Sequence, residues 1–401
     1  MDLKKKLQYY RQATERSSDK KETVKAASKV PASVKALAAH FNGRLLDYPT
    51  PIVEITYSMD AEETAPQILL DRLTKGQFAK PIKLAECLFF DLETTGLSGG
   101  AGTYPFLLGF GFYEAKRFKV VQYFLPDFGR DYYAFKEIIP LLEGKSILIS
   151  FNGKSYDFPL LKTRAILNRF TIDLDRFSHL DLLHLSRRVW KDSQESCDLA
   201  SIEREQLNIR RSGDIPGYLI PAAYLRFIRN EVIHEMIAVI QHNRQDIISL
   251  NKILFRLSSI NQSPEVLNDG KALMRLAKLA FEINDYDYFV QVEKQLLKIR
   301  GEHHPEFKLL LSFFFKKQGN WQRACALWES LVAHQSYSFV ALEELAKAHE
   351  HVFKDYQKAL EYSARALKMY GTLQQLNPYS VKSAWKTAFL QRYERLKCKI
   401  S

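Results

Sequence analysis

The sequence predicts an α/β domain, with a mixed sheet flanked by helices, followed by an all-α helical-repeat domain. Three observations predict it. Between residues 87 and 170, three consecutive strand-like runs give way to helix, strand and helix patterns, the succession expected of a mixed sheet covered by helices. Beyond about residue 265 the apolar period is helical throughout, and pairs of a polar and an aromatic residue return every 35 positions. Finally, Leu88-Phe89-Phe90-Asp91-Leu92-Glu93 ends an apolar strand on two carboxylates. They lie two apart, so both point to one face of the strand. Charges there require a counter-cation or a strand end that runs into solvent.

The first forty residues carry Lys4-Lys5-Lys6, Lys20-Lys21, Lys25 and Lys29 with few aliphatics. They read as a basic, partly helical or disordered arm, touching phosphates or merely aiding solubility. Alternation over residues 43–59, around the Pro49 and Pro51 turn, predicts a small hairpin ahead of the core. The core follows as strands over 87–90, 106–113 and 118–124, a helix over 132–142, a strand over 146–151 and a helix over 158–170. Further helices lead to a boundary between residues 262 and 263.

Composition bounds the chemistry. A chain of 401 residues with 46% hydrophobic and 26% charged content has material for a sizeable core and about two domains. The net charge of +12 suits a polyanionic partner such as nucleic acid, and solubility charge accounts for it equally well. Cys87, Cys197, Cys325 and Cys398 are too dispersed for a zinc ribbon or a small secreted framework, which predicts a reducing compartment. No apolar signal segment opens the chain. The most apolar stretch, 309–315, stops at Lys316-Lys317, well short of a membrane span. A cytoplasmic protein without membrane partners is expected.

Two further segments hold candidate site residues. After the apolar run Ile147-Leu148-Ile149 comes Ser150-Phe151-Asn152-Gly153-Lys154-Ser155-Tyr156-Asp157-Phe158-Pro159. Asn152 and Gly153 form a turn there, and Asp157 is either a site carboxylate or the N-cap of the next helix. In Gln241-His242-Asn243-Arg244-Gln245-Asp246 the period is helical. His242 and Asp246 are four apart on one face, as a shared site or a surface pair.

With these three segments in order, the chain resembles the DEDD 3′-5′ exonucleases of the ribonuclease-H-like fold. Thr94-Thr95-Gly96-Leu97 and the Gly-rich loop through Tyr104 make it most similar to the bacterial YprB-type branch, a resemblance spanning most of residues 40–260. It implies that Asp91, Glu93, Asp157 and Asp246 hold two Mg²⁺ or Mn²⁺ ions and that His242 takes a proton from, or orients, the attacking water. It further implies that Thr94, Thr95, Gly96, Leu97, Tyr104 and Asn152 contact the nucleic acid. His242 departs from the pattern, standing at the spacing of the tyrosine-type subfamily. The resemblance also covers Asp181 and Asp214-Ile215-Pro216-Gly217; Asp181 is a strand-end carboxylate or a spare ligand, and the latter run is most simply a turn, its approach to the active site being the lesser alternative.

Asp285-Tyr286, Asn320-Trp321 and Asp355-Tyr356 mark the 35-residue step, with Leu276, Leu311 and Ala346, and Leu296, Leu331 and Ala366, in phase. This is close to the tetratricopeptide period, or that of another helical-hairpin array. The expected organisation is a basic arm over 1–40, a ribonuclease-H-like exonuclease domain over 41–262 and tetratricopeptide-like repeats over 263–401, with a possible protein partner on the repeats. The expected activity is metal-dependent 3′-5′ exonucleolytic hydrolysis. The competing reading is a non-catalytic scaffold that keeps the fold.

Overall fold

The computed structural model describes residues 30–60, 67–96, 102–301, 304–335, 337–376 and 383–400. The chain divides into two compact units, Met1–Gln262 and Ser263–Ser401. In the first, seven strands form one sheet: β1 (Arg44–Leu46), β2 (Ile52–Asp60), β3 (Cys87–Thr94), β4 (Pro105–Glu114), β5 (Arg117–Phe124), β6 (Ile147–Ser150) and β7 (Ser178–Asp181). Their order is β1-β2-β5-β4-β3-β6-β7. β6 is parallel to β3 and β7 to β6, while the other pairings are antiparallel. Among the described residues seven α-helices accompany the sheet: α1 (Ala32–His40), α2 (Asp131–Leu141), α3 (Asp157–Leu167), α4 (Leu182–Trp190), α5 (Leu199–Gln206), α6 (Ile220–Asn230) and α7 (Ile233–Gln262).

β3 is the central strand of the site. Cys87, Leu88, Phe89 and Phe90 are all buried, because a strand with helices on both faces has no side to give to water. It runs to Thr94, four residues beyond its predicted end, since β4 continues to pair with it and the register shifts only between Glu93 and Thr94. Such irregularities re-aim side chains at the rim of a sheet.

Two expectations need correction. The hairpin of β1 and β2 does not stand ahead of the core: β2 pairs with β5 from Val53↔Phe124 to Asp60↔Arg117 and so extends the sheet. Otherwise β5 would leave a long open edge. The basic arm does not reach residue 40 as an unpacked segment either. Val34, Leu37 and Ala38 of α1 are buried in the main core, and Lys4 to Lys29 lie outside the described residues.

One close approach positions the site. Asp91 pairs with Gly109, and Gly109 with Gln122, so the three share one face of the sheet under α7. A Cβ on Gly109 would fall inside contact distance of Asn243 Oδ1 and 2.5 Å from Ile247 Cδ1. Because glycine leaves that space, the fully buried Asn243 settles between the two polar neighbours. Its Nδ2 donates to Asp91 O at 3.1 Å and Oδ2 at 2.8 Å, and its Oδ1 accepts from Gln122 Nε2 at 2.7 Å.

The second unit is a run of helices among its described residues: α8 (Gly270–Glu282), α9 (Tyr286–Arg300), α10 (Pro305–Lys317), α11 (Trp321–Ala333), α12 (Ser338–His351), α13 (Tyr356–Leu376) and α14 (Ser383–Ile400). The 35-residue step has a direct cause. Asp285, Asn320 and Asp355 each accept a backbone N–H three residues on, from Tyr288, Arg323 and Lys358, and so cap α9, α11 and α13. The six in-phase apolar residues are all buried. No helix among the described residues is long and apolar enough to cross a membrane.

The last helix is tied down by one carboxylate. Glu350 of α12, whose side chain is fully buried, accepts from Arg395 at 3.0 and 2.8 Å, Lys399 at 3.0 Å and Arg392 at 3.3 Å. Burial alone would raise its pKa, but the bonds from Arg395 and Lys399 prevail and hold it at about 2. A carboxyl with a depressed folded pKa stabilises above its unfolded pKa of about 4.3 and loses that contribution as pH falls toward the folded value. Glu350→Gln is therefore expected to cost about 3 kcal/mol at neutral pH, the low end for a broken buried pair because Arg395 and Lys399 keep contact with water. Denaturant titrations should show the gap from wild type closing between pH 4.5 and 2. A pH-independent gap would mean that packing, not charge, holds α14.

Candidate active site

The four site carboxylates arrive from three elements. Alternation along β3 delivers Asp91 and Glu93 together. The β6–α3 loop delivers Asp157, the first residue of α3; Tyr156 takes the N-cap position, and no side chain caps the helix. Of the two sequence readings of Asp157, the N-cap is therefore wrong. Its loop is shaped by Asn152 at φ 64°, a left-handed conformation that asparagine tolerates, and by Gly153, where a Cβ would meet Ser150 Oγ at 2.6 Å. Asp181 at the end of β7 secures it, accepting from the backbone N–H of Asn152 at 2.8 Å, Lys154 at 3.1 Å and Leu183 at 3.0 Å. With those bonds Asp181 is a structural clamp and not a spare ligand.

His242 and Asp246 come from α7, one turn apart. Together with Asp91, Glu93 and Asp157 they line one cleft of about 270 Å³, bordered by Thr94, Gly96, Thr103, Asn152, Tyr156 and Gly217. Tyr104 and Thr95, also selected from the sequence, do not line it. Tyr104 is 4% exposed, with Phe128 edge-on to its ring and the Arg164 guanidinium over it. Its hydroxyl is engaged by Asp127 O and Arg130 N, so it offers no face to a base and is withdrawn from the substrate-contacting set. Thr95 serves the loop, its Oγ1 accepting from Tyr104 N at 3.0 Å. Thr94 Oγ1 donates to Gly96 O at 2.7 Å. Leu97 lies outside the described residues.

The carboxyls crowd one another. Burial first, then the charges of Asp246 and Asp157, push Asp91 well above its ordinary pKa, with Asn243 and Arg211 working the other way. Glu93 is raised by burial and then by Asp91, Asp246 and Asp157. Burial lifts Asp157 to about 7, with Asp181 and Asp246 adding to it, and Asp246 is raised by burial despite His242 and Arg211. Carboxylates gathered at this density call for added positive charge. Donor atoms of Glu93, His242 and Asp246 lie within 4.8 Å of one another. Hard oxygens with one imidazole suit a divalent cation, so the residues present fit a metal site.

Two contributors, Arg211 and Asn243, escaped the sequence reading, and Asp214 takes up its lesser alternative, an approach of the turn to the site. Arg211 pairs with Glu203 at 2.6 Å and Asp214 at 3.2 Å, and also with Asp246. Asp214, in the segment read as a turn, sets Oδ1 2.7 Å from His242 Nδ1. Asn243 steadies Asp91. Only Asn243 carried a sequence signal, a polar residue on the apolar face of a helix.

Comparison with known proteins agrees with this architecture. Residues 88–258 match the RNase_H superfamily. The chain is 34% identical over 296 residues to the uncharacterized protein YprB of Bacillus subtilis (strain 168), an alignment covering 72% of this chain and 71% of that one. Among solved structures it is similar to the family B DNA polymerase of the hyperthermophilic archaeon Pyrobaculum calidifontis, at 13% identity and a TM-score of 0.33, over 51% of this chain and 30% of the polymerase. The chain thus spans less than a third of that polymerase's length. On the superfamily match and the extent of its identity to YprB, the chain belongs to the YprB-type proteins of the RNase_H superfamily.

Proposed function

We propose that this protein is a metal-dependent nuclease, a 3′-5′ exonuclease that hydrolyses phosphodiester bonds of nucleic acid. The observation that carries this reading is the gathering of four carboxyls, from β3, the start of α3 and α7, in one cleft where they raise one another's pKa. The 3′-to-5′ direction rests on the resemblance of the three motifs. Two Mg²⁺ or Mn²⁺ ions bound there would neutralise charge on the attacking and leaving oxygens. Asp91, Glu93, Asp157 and Asp246 are proposed as their ligands.

The chain's own groups then orient the substrate. Thr94, Gly96 and Asn152 border the cleft and would contact the terminal nucleotide. Tyr156, half exposed at its mouth, is the ring free to stack on a base. His242 acts through Nε2, since Nδ1 is taken by Asp214, as a proton acceptor for water or as an ion ligand. In either role His242→Ala is expected to slow turnover by at least about 10²-fold. The helices over residues 263–401 are proposed to be tetratricopeptide-like repeats that bind a protein partner.

The deciding experiment incubates the protein with end-labelled single-stranded DNA and RNA, with and without Mg²⁺ or Mn²⁺. Stepwise, metal-dependent loss of nucleotides from free but not blocked 3′ ends is expected. Binding without cleavage under every condition would replace the enzyme by the scaffold reading.

A further inference from the structure

The environment of His242 says more about the ion site than the carboxylates do. Its Nδ1 lies 2.7 Å from Asp214 Oδ1 and 3.2 Å from Arg211 Nη1. The carboxylate can only accept and the guanidinium can only donate. The shorter partner is the carboxylate, so the ring proton sits on Nδ1 and the lone pair is on Nε2. Nε2 in turn faces Asp246 Oδ2 at 3.5 Å, a poor hydrogen-bond length but close to the separation of two neighbouring donors on one ion with bonds of about 2.1 Å. The other oxygen of Asp246 is held by Arg211, which leaves Oδ2 toward the ring. Glu93 supplies the third donor within 4.8 Å. An imidazole with one nitrogen on a carboxylate and the other turned into a donor cluster is the arrangement that metal-ligating histidines adopt.

We infer that His242 Nε2 is a metal ligand alongside Glu93 and Asp246, and that Asp214 is the positioning residue that orients the ring and fixes its tautomer. The inference rests on the proposed metal-dependent function, whose resemblance-based ligand set contains oxygen donors only. A nitrogen donor changes the site's preference. Mg²⁺ favours oxygen donors and water, whereas imidazole suits transition ions, so this position takes Mn²⁺ ahead of Mg²⁺. A coordinated Nε2 has no lone pair left for a proton, and His242 then serves the reaction by holding the ion.

Metal binding by the full-length protein, without nucleic acid, tests this. Calorimetric titration is expected to give at least about tenfold tighter binding of Mn²⁺ than of Mg²⁺. His242→Ala should erase that preference while leaving Mg²⁺ affinity nearly unchanged, and Asp214→Asn should weaken Mn²⁺ by about tenfold, the lower end for loss of a partner behind a ligand. Pulsed electron paramagnetic resonance of bound Mn²⁺ should show a ¹⁴N coupling that becomes a ¹⁵N coupling in protein grown on ¹⁵N-histidine, which needs no substitution. Mn²⁺ bound with no histidine nitrogen coupling, or a Mn²⁺ preference that survives His242→Ala, overturns the inference. If such a protein still hydrolyses nucleic acid with Mg²⁺, the proposed function stands; a protein that binds neither ion refutes both.

Discussion

Asp91→Ala is expected to lower hydrolysis by at least about 10³-fold, in the upper part of the range usual for a single general base. The Asp91 carboxyl is raised by burial first and then by Asp246 and Asp157, and is relieved by Asn243 and Arg211. Removing it takes away a proposed ion ligand and one of the two bonds that Asn243 makes to Asp91. The fold should survive. A carboxyl whose folded pKa lies above its unfolded value opposes folding at neutral pH, so the metal-free variant should melt no lower than wild type. Single-turnover cleavage and a thermal melt check the two halves. Turnover near the wild-type rate would remove Asp91 from the reaction, and a lower melting temperature would show that Asn243 needs its carboxylate partner to hold α7.

Gly109→Ala should have the largest effect of any substitution outside the cluster. The new Cβ would press on Asn243 Oδ1 and Ile247 Cδ1, and neither can withdraw while α7 lies on the sheet. Overpacking of a tight core costs typically 1–3 kcal/mol, and the upper end, about 3 kcal/mol, applies because Asn243 must also give up its bonds to Asp91 and Gln122. The loss should reach the site: with α7 displaced, Asp246 and His242 move away from Asp91 and Glu93, and Mn²⁺ affinity should fall by about tenfold or more. Denaturant midpoints and calorimetric titration measure both. A variant with normal midpoint and affinity would mean that α7 and β4 have slack at this crossing.

Much of this was legible in the sequence because it follows from periodicity. The alternation that puts Asp91 and Glu93 on one face is a property of any strand, and the four-residue step joining His242 to Asp246 belongs to any helix. The 35-residue step likewise marked the turns and the in-phase apolar positions, which the fold uses as helix caps and core. Local patterning also set six of the seven strands to within a few residues, except that β3 ran on to Thr94 along its antiparallel neighbour β4; β7 (Ser178–Asp181) lay where further helices were expected, foreshadowed only by the reading of Asp181 as a strand end. By contrast, the hairpin's place in the sheet depended on β5 having an open edge, and no local pattern in residues 43–59 records what lies across from them.

What the sequence by itself determined is therefore the α/β succession, the helical run after it and the three segments that carry the carboxylates. The tertiary structure decided which polar neighbours serve those carboxylates. Arg211, Asp214 and Asn243 act through contacts with residues up to 152 positions away, and no local spacing identifies those partners. The same holds for Tyr104, whose motif suggested a surface ring until packing against Phe128 and Arg164 buried it. The physical reason is one of range: hydrophobic period and capping act within a few turns of chain, while the field at a buried carboxylate is set by whatever the fold brings within a few ångströms.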